Sequence, residues 1–275
     1  MYNRARSRLK ESMKVLDIRM VFLDIDGTLY TEGQLIDSAV QAVQQLHRKN
    51  IPVSLCTGRS YIHAKNIQSA LQIQNGVYFN GSLAIAQQKT VYSTPFSTET
   101  TQSLIDLLQQ YGHPFIMHTD SRVLSFNQNY LPYKEILDAF HFPEIEILLE
   151  DQWDIHSYPI YQFNGFFEKD WDSLIEQSAT DCFVYRWDNQ AVDLQILHSD
   201  KHLGALSILH EYKIDPQHAL HIGDGGNDIG MFHALGYSVA MGNASVDIQN
   251  EAKMVTLPAE EDGVYHALRN LKLIE

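Results

Sequence analysis

The strongest constraint on the fold of this chain is the regular alternation of short apolar segments with segments of helical periodicity. In the first part of the chain, apolar stretches at 20–25, 52–56 and 77–79 are separated by two segments whose apolar residues recur at helical spacing. A β-α-β-α-β order predicts parallel strands, because a helical crossover is the common connection between them. We therefore expect an α/β core whose parallel sheet is flanked by helices on both faces.

The same alternation returns late in the chain, and a region of different character lies between the two parts. Residues 192–273 again alternate strand-like and helical segments, whereas the middle is rich in aromatic residues and in short strand candidates. These shifts predict three parts: a basic N-terminal arm over 1–19, a core formed by 20–83 and 192–275, and an inserted α+β domain over 84–191. The core would then combine two halves that are distant in sequence.

Composition and charge exclude several classes of function. The chain has 275 residues, of which 44% are hydrophobic and 20% charged, and none of its apolar runs reaches the roughly 18 residues of a membrane helix. Its formal net charge of −14 argues against a nucleic acid partner, and it would repel an anionic substrate unless a metal ion or a basic cluster intervened. The two cysteines are far apart, so we interpret them as buried thiols and expect a cytoplasmic location.

Four polar clusters follow predicted strands or begin predicted helices. They are DIDGT at 24–28, TGR at 57–59, Lys201, and GDGGND at 223–228. The carboxyl ends of parallel strands meet at one edge of a sheet, where open α/β folds bind their ligands. We therefore expect these four clusters to lie close together in the folded chain.

Each cluster alone also has a plain structural explanation. An Asp-Gly pair favours a turn, Thr57 is a suitable helix N-cap, and most lysines lie in solvent. The functional alternatives each name a specific ligand. Asp24 and Asp26 could share a hard cation such as Mg²⁺, and the TGR cluster could bind an anion at a helix N-terminus. Lys201 lies in the first turn of a helix, where its charge is unfavourable unless an anion lies nearby.

Taken in order, the four clusters resemble the motifs of haloacid dehalogenase-type phosphatases. The resemblance covers 20–83 and 192–273, and it is strongest to the Cof-like branch, which carries a large cap inserted between its second and third motifs. The phrases NGSLA, VAMGNA and EDGV also agree, while KHLGAL departs from the common KGxAL form. The resemblance implies a Rossmann-like core with an inserted cap domain, and a hydrolase that acts on phosphoric monoesters.

The resemblance also implies a role for each matched residue. Asp24 would attack phosphorus and form an aspartyl-phosphate, and Asp26 would act first as general acid and then as general base. The cofactor would be Mg²⁺, with four implied ligands: Asp24, Asp26 through its backbone carbonyl, Asp224 and Asp228. The phosphoryl oxygens would be held by Ile25, Thr57, Gly58, Lys201 and Asn227. Thr28 would orient Asp26, and Arg59 would brace the loop through an ion pair.

The expected substrate is a small phosphorylated metabolite, either a sugar phosphate or a phosphorylated cofactor, over which the inserted domain would close as a lid. Phe163, Asn164, Phe166 and 185–187 are candidates to contact it, although packing within the lid is the commoner reason for such residues. None of the 13 histidines is assigned a role. Two other functions stay open, namely a phosphosugar mutase that uses the same aspartyl-phosphate and a catalytically silent phospho-ligand-binding regulator. We expect a monomer or a weak homodimer.

Overall fold

The computed structural model describes residues 16–275, apart from the side chain of Glu150. The predicted basic arm therefore lies outside the described residues except for 16–19. Within the described chain there are sixteen strands and nine α-helices. The strands are β1 (Met20–Leu23), β2 (Tyr30–Thr31), β3 (Gln34–Leu35), β4 (Val53–Cys56), β5 (Asn75–Tyr78), β6 (Leu83–Ala86), β7 (Lys89–Ser93), β8 (Phe115–His118), β9 (Val123–Ser125), β10 (Glu146–Ile147), β11 (Gln162–Gly165), β12 (Cys182–Asp188), β13 (Ala191–Ile196), β14 (Ala219–Gly223), β15 (Tyr237–Ala240) and β16 (Met254–Val255). The helices are α1 (Asp37–Arg48), α2 (Tyr61–Ala70), α3 (Thr98–Gln110), α4 (Lys134–Ala139), α5 (Asp172–Ser178), α6 (Lys201–Tyr212), α7 (Ile229–Ala234), α8 (Val246–Glu251) and α9 (Gly263–Asn270).

The larger sheet has the strand order β16-β15-β14-β1-β4-β5-β6-β7. Its first six strands are parallel, and β6 and β7 extend it as an antiparallel hairpin. Strand β1 is central and all four of its residues are buried, as expected for a parallel strand covered on both faces. Hydrophobic clusters cover both faces of this sheet, so the predicted α/β core with flanking helices is confirmed.

The register of the central strands brings their carboxyl ends to one edge. Leu23 of β1 is paired with Ile222 of β14 and with Leu55 of β4. The residues that follow these strands are therefore neighbours, although almost 200 positions separate some of them in sequence. This edge carries three of the four polar clusters, and α6 supplies the fourth with its first residue, Lys201.

The second sheet has the order β10-β9-β8-β11-β13-β12 and is antiparallel except between β9 and β10. Its inner face packs with α3 and α5 in a hydrophobic cluster that includes Phe163 and Leu194. Because side chains alternate along a strand, the opposite face carries the polar residues of β8, β11 and β13. On that face Asn164 is paired with Asp193, and Gln162 lies between His118 and Gln195.

The two sheets divide the chain differently from the boundaries predicted at residues 84 and 191. Strands β6 and β7 pair with β5 in the larger sheet, and the chain moves to the second sheet only after Ser93. Strand β13, predicted as the first strand of the returning core, pairs with β11 and β12 instead. Both segments have strand-like patterns that fit either sheet, so their pairing partners were not visible in the sequence. Within residues 16–275 no helix is long and apolar enough to cross a membrane.

Candidate active site

A buried lysine joins two carboxylates at the edge of the larger sheet. Lys201 Nζ donates to Asp24 Oδ1 at 2.8 Å and to Asp228 Oδ1 at 2.7 Å. The side chains of Lys201 and Asp228 are fully buried, and that of Asp24 is 9% exposed. Lysine is rarely buried without partners, so these contacts explain why the charge is tolerated there. The prediction that distant clusters meet is confirmed for these three side chains.

The charges in this cluster change each other's proton affinity. Burial raises the pKa of Asp24, and the neighbouring Lys201 ammonium opposes that shift. Burial acts in the same direction on Asp228, but Lys201 and His221 outweigh it and lower its pKa below the ordinary range. Although burial opposes the charge of Lys201, the two carboxylates raise its pKa overall. The ammonium therefore stays charged and offsets one of the two negative charges of its partners.

A third carboxylate completes a group that could hold a cation. Asp24, Asp224 and Asp228 each offer an oxygen, and these atoms lie within 4.8 Å of one another. Burial raises the pKa of Asp224 to about 6, with the charge of Asp228 as the next cause. Three carboxylates with too little counter-charge suit a hard divalent ion that prefers oxygen ligands, so the residues present fit Mg²⁺. The carboxylate of Asp26 is not in this group.

The turn after β1 brings the backbone close to this group. Gly27 has φ +70°, and a Cβ placed on it would lie 2.1 Å from Asp224 Oδ2. Glycine is therefore suited to both the backbone conformation and the close approach at this position. Thr28 Oγ1 then donates to Asp224 Oδ1 at 3.3 Å. We had expected Thr28 to orient Asp26, but the sharp turn at Gly27 directs its hydroxyl to Asp224 instead.

Asp26 lies at the exposed side of the site and is paired with Arg59. Arg59 Nε donates to Asp26 Oδ2 at 2.8 Å and Arg59 Nη2 donates to Oδ1 at 2.5 Å, which makes a bidentate pair. The guanidinium also lies 4.9 Å from the ring centre of Tyr30. The Asp26 side chain is 60% exposed. The ion pair expected of Arg59 is present, and its partner is the predicted general acid.

The remaining predicted phosphate ligands surround the same edge. Thr57 follows β4, and its hydroxyl accepts a hydrogen bond from the Arg59 N–H at 3.1 Å. Gly58 lines the cavity above the cluster. Ile25 is buried beside Asp24 in the turn after β1. Asn227, in the loop after β14, donates to Asn80 Oδ1 at 2.8 Å.

A cavity of about 600 Å³ lies between this edge and the polar face of the second sheet. This volume is within the usual range for a site that binds a small molecule. From the larger sheet it is lined by Asp24, Asp26, Arg59, Asn80, Asp224 and Asn227. From the second sheet it is lined by His118, Gln162, Asn164, Trp187, Asp193 and Gln195.

The six aromatic and polar residues nominated in the inserted domain divide into two groups. Asn164, Tyr185 and Trp187 line the cavity. Phe163 and Phe166 are buried in hydrophobic clusters, and Arg186 makes a bidentate ion pair with Asp172. Half of the six therefore contact other parts of the protein and do not line the cavity.

Several residues at the site were missed from the sequence. His221 is fully buried on β14, and its Nε2 lies 2.8 Å from Asp228 Oδ1. A polar residue inside a buried parallel strand was the available signal for it. His63 and His118 line the cavity although no histidine was nominated. Asn80 bridges the two halves of the site, because its Nδ2 donates to Gln195 Oε1 at 2.8 Å.

The family model described as haloacid dehalogenase-like hydrolase matches residues 21–268. The chain belongs to this family. The predicted Cof-like phosphatase branch with its inserted cap and the predicted enzyme class are confirmed, as is the fold.

Relatives of this hydrolase align over nearly its whole length. YkrA of Bacillus subtilis (strain 168) is 24% identical over 265 residues, which is 94% of this chain and 100% of that protein. The 5-amino-6-(5-phospho-D-ribitylamino)uracil phosphatase YcsE of the same organism is 23% identical over 265 residues, with 93% and 96% covered. A crystal structure from Geobacillus kaustophilus HTA426 has a TM-score of 0.86 at 26% identity, with 94% of this chain and 100% of that chain covered.

Proposed function

We propose that this hydrolase is a magnesium-dependent phosphatase that releases phosphate from small phosphate monoesters through an aspartyl-phosphate on Asp24. The observation that carries the proposal is the buried bridge from Asp24 through Lys201 to Asp228, beside a cavity of suitable size for a small ester. Phosphoryl transfer depends mainly on positioning and on neutralising charge, and this arrangement provides both.

The metal would be held by the carboxylates of Asp24, Asp224 and Asp228 and by the backbone carbonyl of Asp26. When bound, it would supply positive charge that offsets the acids and admits a phosphate dianion. Lys201 supplies a second, permanent positive charge on the buried side of Asp24. The Thr57 hydroxyl, the Asn227 amide and the backbone N–H groups of Ile25 and Gly58 would hold the phosphoryl oxygens.

In the first step a carboxylate oxygen of Asp24 bonds to phosphorus while the bond from phosphorus to the ester oxygen breaks. Asp26 gives its proton to that oxygen, so that the leaving group departs as a neutral alcohol. In the second step Asp26 takes a proton from water and the water oxygen bonds to phosphorus. The bond between phosphorus and Asp24 breaks, which releases inorganic phosphate and restores the Asp24 carboxylate. Asp26 must leave its pair with Arg59 to reach the ester oxygen in the first step and the water molecule in the second.

The decisive test replaces the nucleophile. We expect Asp24→Asn to lower phosphate release from p-nitrophenyl phosphate by at least about 10⁴-fold, because no covalent intermediate can form. Asp106→Asn, an exposed carboxylate on α3, is the matched control and should retain full activity. Mass spectrometry of acid-quenched enzyme should detect phosphate on the peptide that contains Asp24. Activity should also disappear in EDTA and return with Mg²⁺.

Other outcomes would replace this proposal. Retained activity in Asp24→Asn would mean that Asp24 is not the nucleophile. Conversion of a sugar phosphate without phosphate release would instead indicate a mutase, and absence of turnover on a broad phosphate panel would indicate a ligand-binding regulator.

The two cysteines are buried and unpaired within the described residues, which supports the proposed cytoplasmic location. The oligomeric state stays a prediction.

A further inference from the structure

We propose that the polar face of the second sheet recognises the leaving group as a planar ring that carries an N–H donor, and that Asp193 accepts the hydrogen bond from this donor. The inference rests on the proposed phosphatase function, because the ring must belong to the alcohol that departs. It names the substrate class that the cavity selects.

Asp193 is held in place by three neutral donors. Its Oδ1 accepts from Asn164 Nδ2 at 2.6 Å and from Trp187 Nε1 at 2.8 Å, and its Oδ2 accepts from Gln195 Nε2 at 3.3 Å. Strand alternation on β11 and β13 places Asn164, Asp193 and Gln195 on the face that lines the cavity, and Trp187 of β12 lines it too. The carboxylate is therefore fixed in direction before any ligand binds.

Within residues 16–275 no cationic side chain forms an ion pair with Asp193. Burial therefore raises the pKa of this carboxyl to about 7, and the three donors only partly oppose the shift. A carboxylate that is enclosed without a counter-charge gains more from a ligand donor than one that is already neutralised. Its Oδ2, with a single long hydrogen bond, has the free acceptor capacity.

Other polar side chains around Asp193 already make hydrogen bonds within the protein. Asn80 donates to Gln195, Asn164 donates to Asp193, and His118 Nε2 lies 2.5 Å from Asn164 Oδ1. Gln162 lines the cavity and is 5% exposed, and its Oε1 has no hydrogen-bond partner among the described residues. Asp193 Oδ2 is therefore the acceptor that this face offers a ligand, which favours a ligand that donates.

The walls of the cavity indicate a flat ring. Phe140, Phe142, Phe183 and Tyr185 line it together with Trp187. Phe140 is 49% and Tyr185 is 56% exposed, so their rings are not buried by packing within the protein. Phe140 and Trp187 meet edge to face with ring centres 4.7 Å apart, which makes a corner against which a planar group can stack. A polyhydroxylated chain would leave most of this apolar surface without a partner.

The test uses two esters that differ only in the donor, 3-aminobenzyl phosphate and benzyl phosphate. We expect kcat/KM for the unmodified protein to be about 10-fold or more higher for the amino compound, because it alone donates to a charged acceptor. Asp193→Asn should lower kcat/KM for 3-aminobenzyl phosphate by about 10- to 100-fold and should change that for benzyl phosphate by less than about 3-fold. Asp120→Asn, an exposed carboxylate in the turn between β8 and β9, is the matched control.

A binding measurement separates failure of the subsite from failure of the phosphatase proposal. Isothermal titration of the Asp24→Asn variant with both esters should give about 10-fold tighter binding of 3-aminobenzyl phosphate, whether or not the unmodified protein turns them over. Equal affinities, or equal kcat/KM values in the unmodified protein, would overturn the inference. Preferred binding without phosphate release would support the subsite and contradict the phosphatase. The comparison within the unmodified protein also remains decisive if Asp193→Asn does not fold.

Discussion

Asp228 at the edge of the larger sheet and Asp193 on the second sheet are both enclosed carboxylates, but their neighbours differ in charge. Asp228 accepts from Lys201 Nζ at 2.7 Å and from the Gly225 N–H at 2.9 Å, with His221 at 2.8 Å. Among residues 16–275, the hydrogen-bond partners of Asp193 are only the amides of Asn164 and Gln195 and the indole of Trp187. The same functional group is thus neutralised in one half of the site and left without a counter-charge in the other.

The difference between the neighbours of Asp228 and Asp193 shows how one cavity can have two kinds of polar surface. Counter-charges lower the pKa of Asp228, so its charge is permanent and can position Lys201 at every step. Burial raises the pKa of Asp193 to about 7, so its charge is available to a ligand that supplies a donor. The first arrangement suits fixed machinery, and the second suits selection among substrates.

The largest effect is expected from removing the counter-charge of the larger sheet. Lys201→Met leaves Asp24 and Asp228 buried without their shared ammonium, and we expect a loss of about 3–5 kcal/mol in the free energy of unfolding. Urea denaturation measures this loss. Lys65→Met, on the exposed face of α2, is the matched control and should change stability by less than about 0.5 kcal/mol. If the free energy of unfolding fell no more in Lys201→Met than in this control, the Lys201 ammonium would not be needed to balance Asp24 and Asp228.

The core half of this comparison was largely predictable from the sequence. Asp24, Lys201 and Asp228 each lie in a short polar cluster next to an apolar strand or at a helix start, and a parallel sheet brings such positions together. His221 was missed because its contact with Asp228 depends on the register of β14, which local sequence does not determine. Thr28 was assigned the wrong partner because the direction of its hydroxyl follows from the turn at Gly27.

The half of the site that lies on the second sheet was much less predictable from the sequence. The segment VDLQIL was correctly expected to be a strand. The sequence did not reveal that this strand joins the second sheet or that its polar face meets the cavity. Pairing partners of short antiparallel strands are set by tertiary packing, so the boundaries at 84 and 191 shifted with them.

A smaller effect of opposite sign is expected at Asp193. Its folded-state pKa of about 7 lies above the ordinary value near 4, so between these pH values the folded chain keeps a proton that the unfolded chain has lost. The free energy of unfolding therefore falls as pH rises through this window. Asp193→Asn removes this dependence, and we expect the variant to gain about 3 kcal/mol relative to the unmodified protein between pH 4.5 and pH 8.

Urea denaturation of both proteins at the two pH values checks this expectation, because other titrating groups cancel in the difference. Asp106→Asn, at an exposed carboxylate on α3, is the matched control. A stability difference for Asp193→Asn that does not change with pH would mean that the Asp193 carboxyl is not perturbed by burial. The contrast with Asp228 would then fail.

The smallest effect is expected at Asp26, a carboxylate of the site that is paired but exposed. Solvent weakens such a pair, so Arg59→Gln should lower the free energy of unfolding by only about 0.2–1 kcal/mol, and added salt should narrow the difference. Arg19→Gln, which breaks the exposed pair with Asp17 far from the cavity, is the matched control. A loss in the free energy of unfolding as large as that expected for Lys201→Met would show that the pair of Asp26 and Arg59 behaves like the buried ion pairs of the core. A loss within the expected range would leave Asp26 free to exchange Arg59 for a substrate oxygen at little cost.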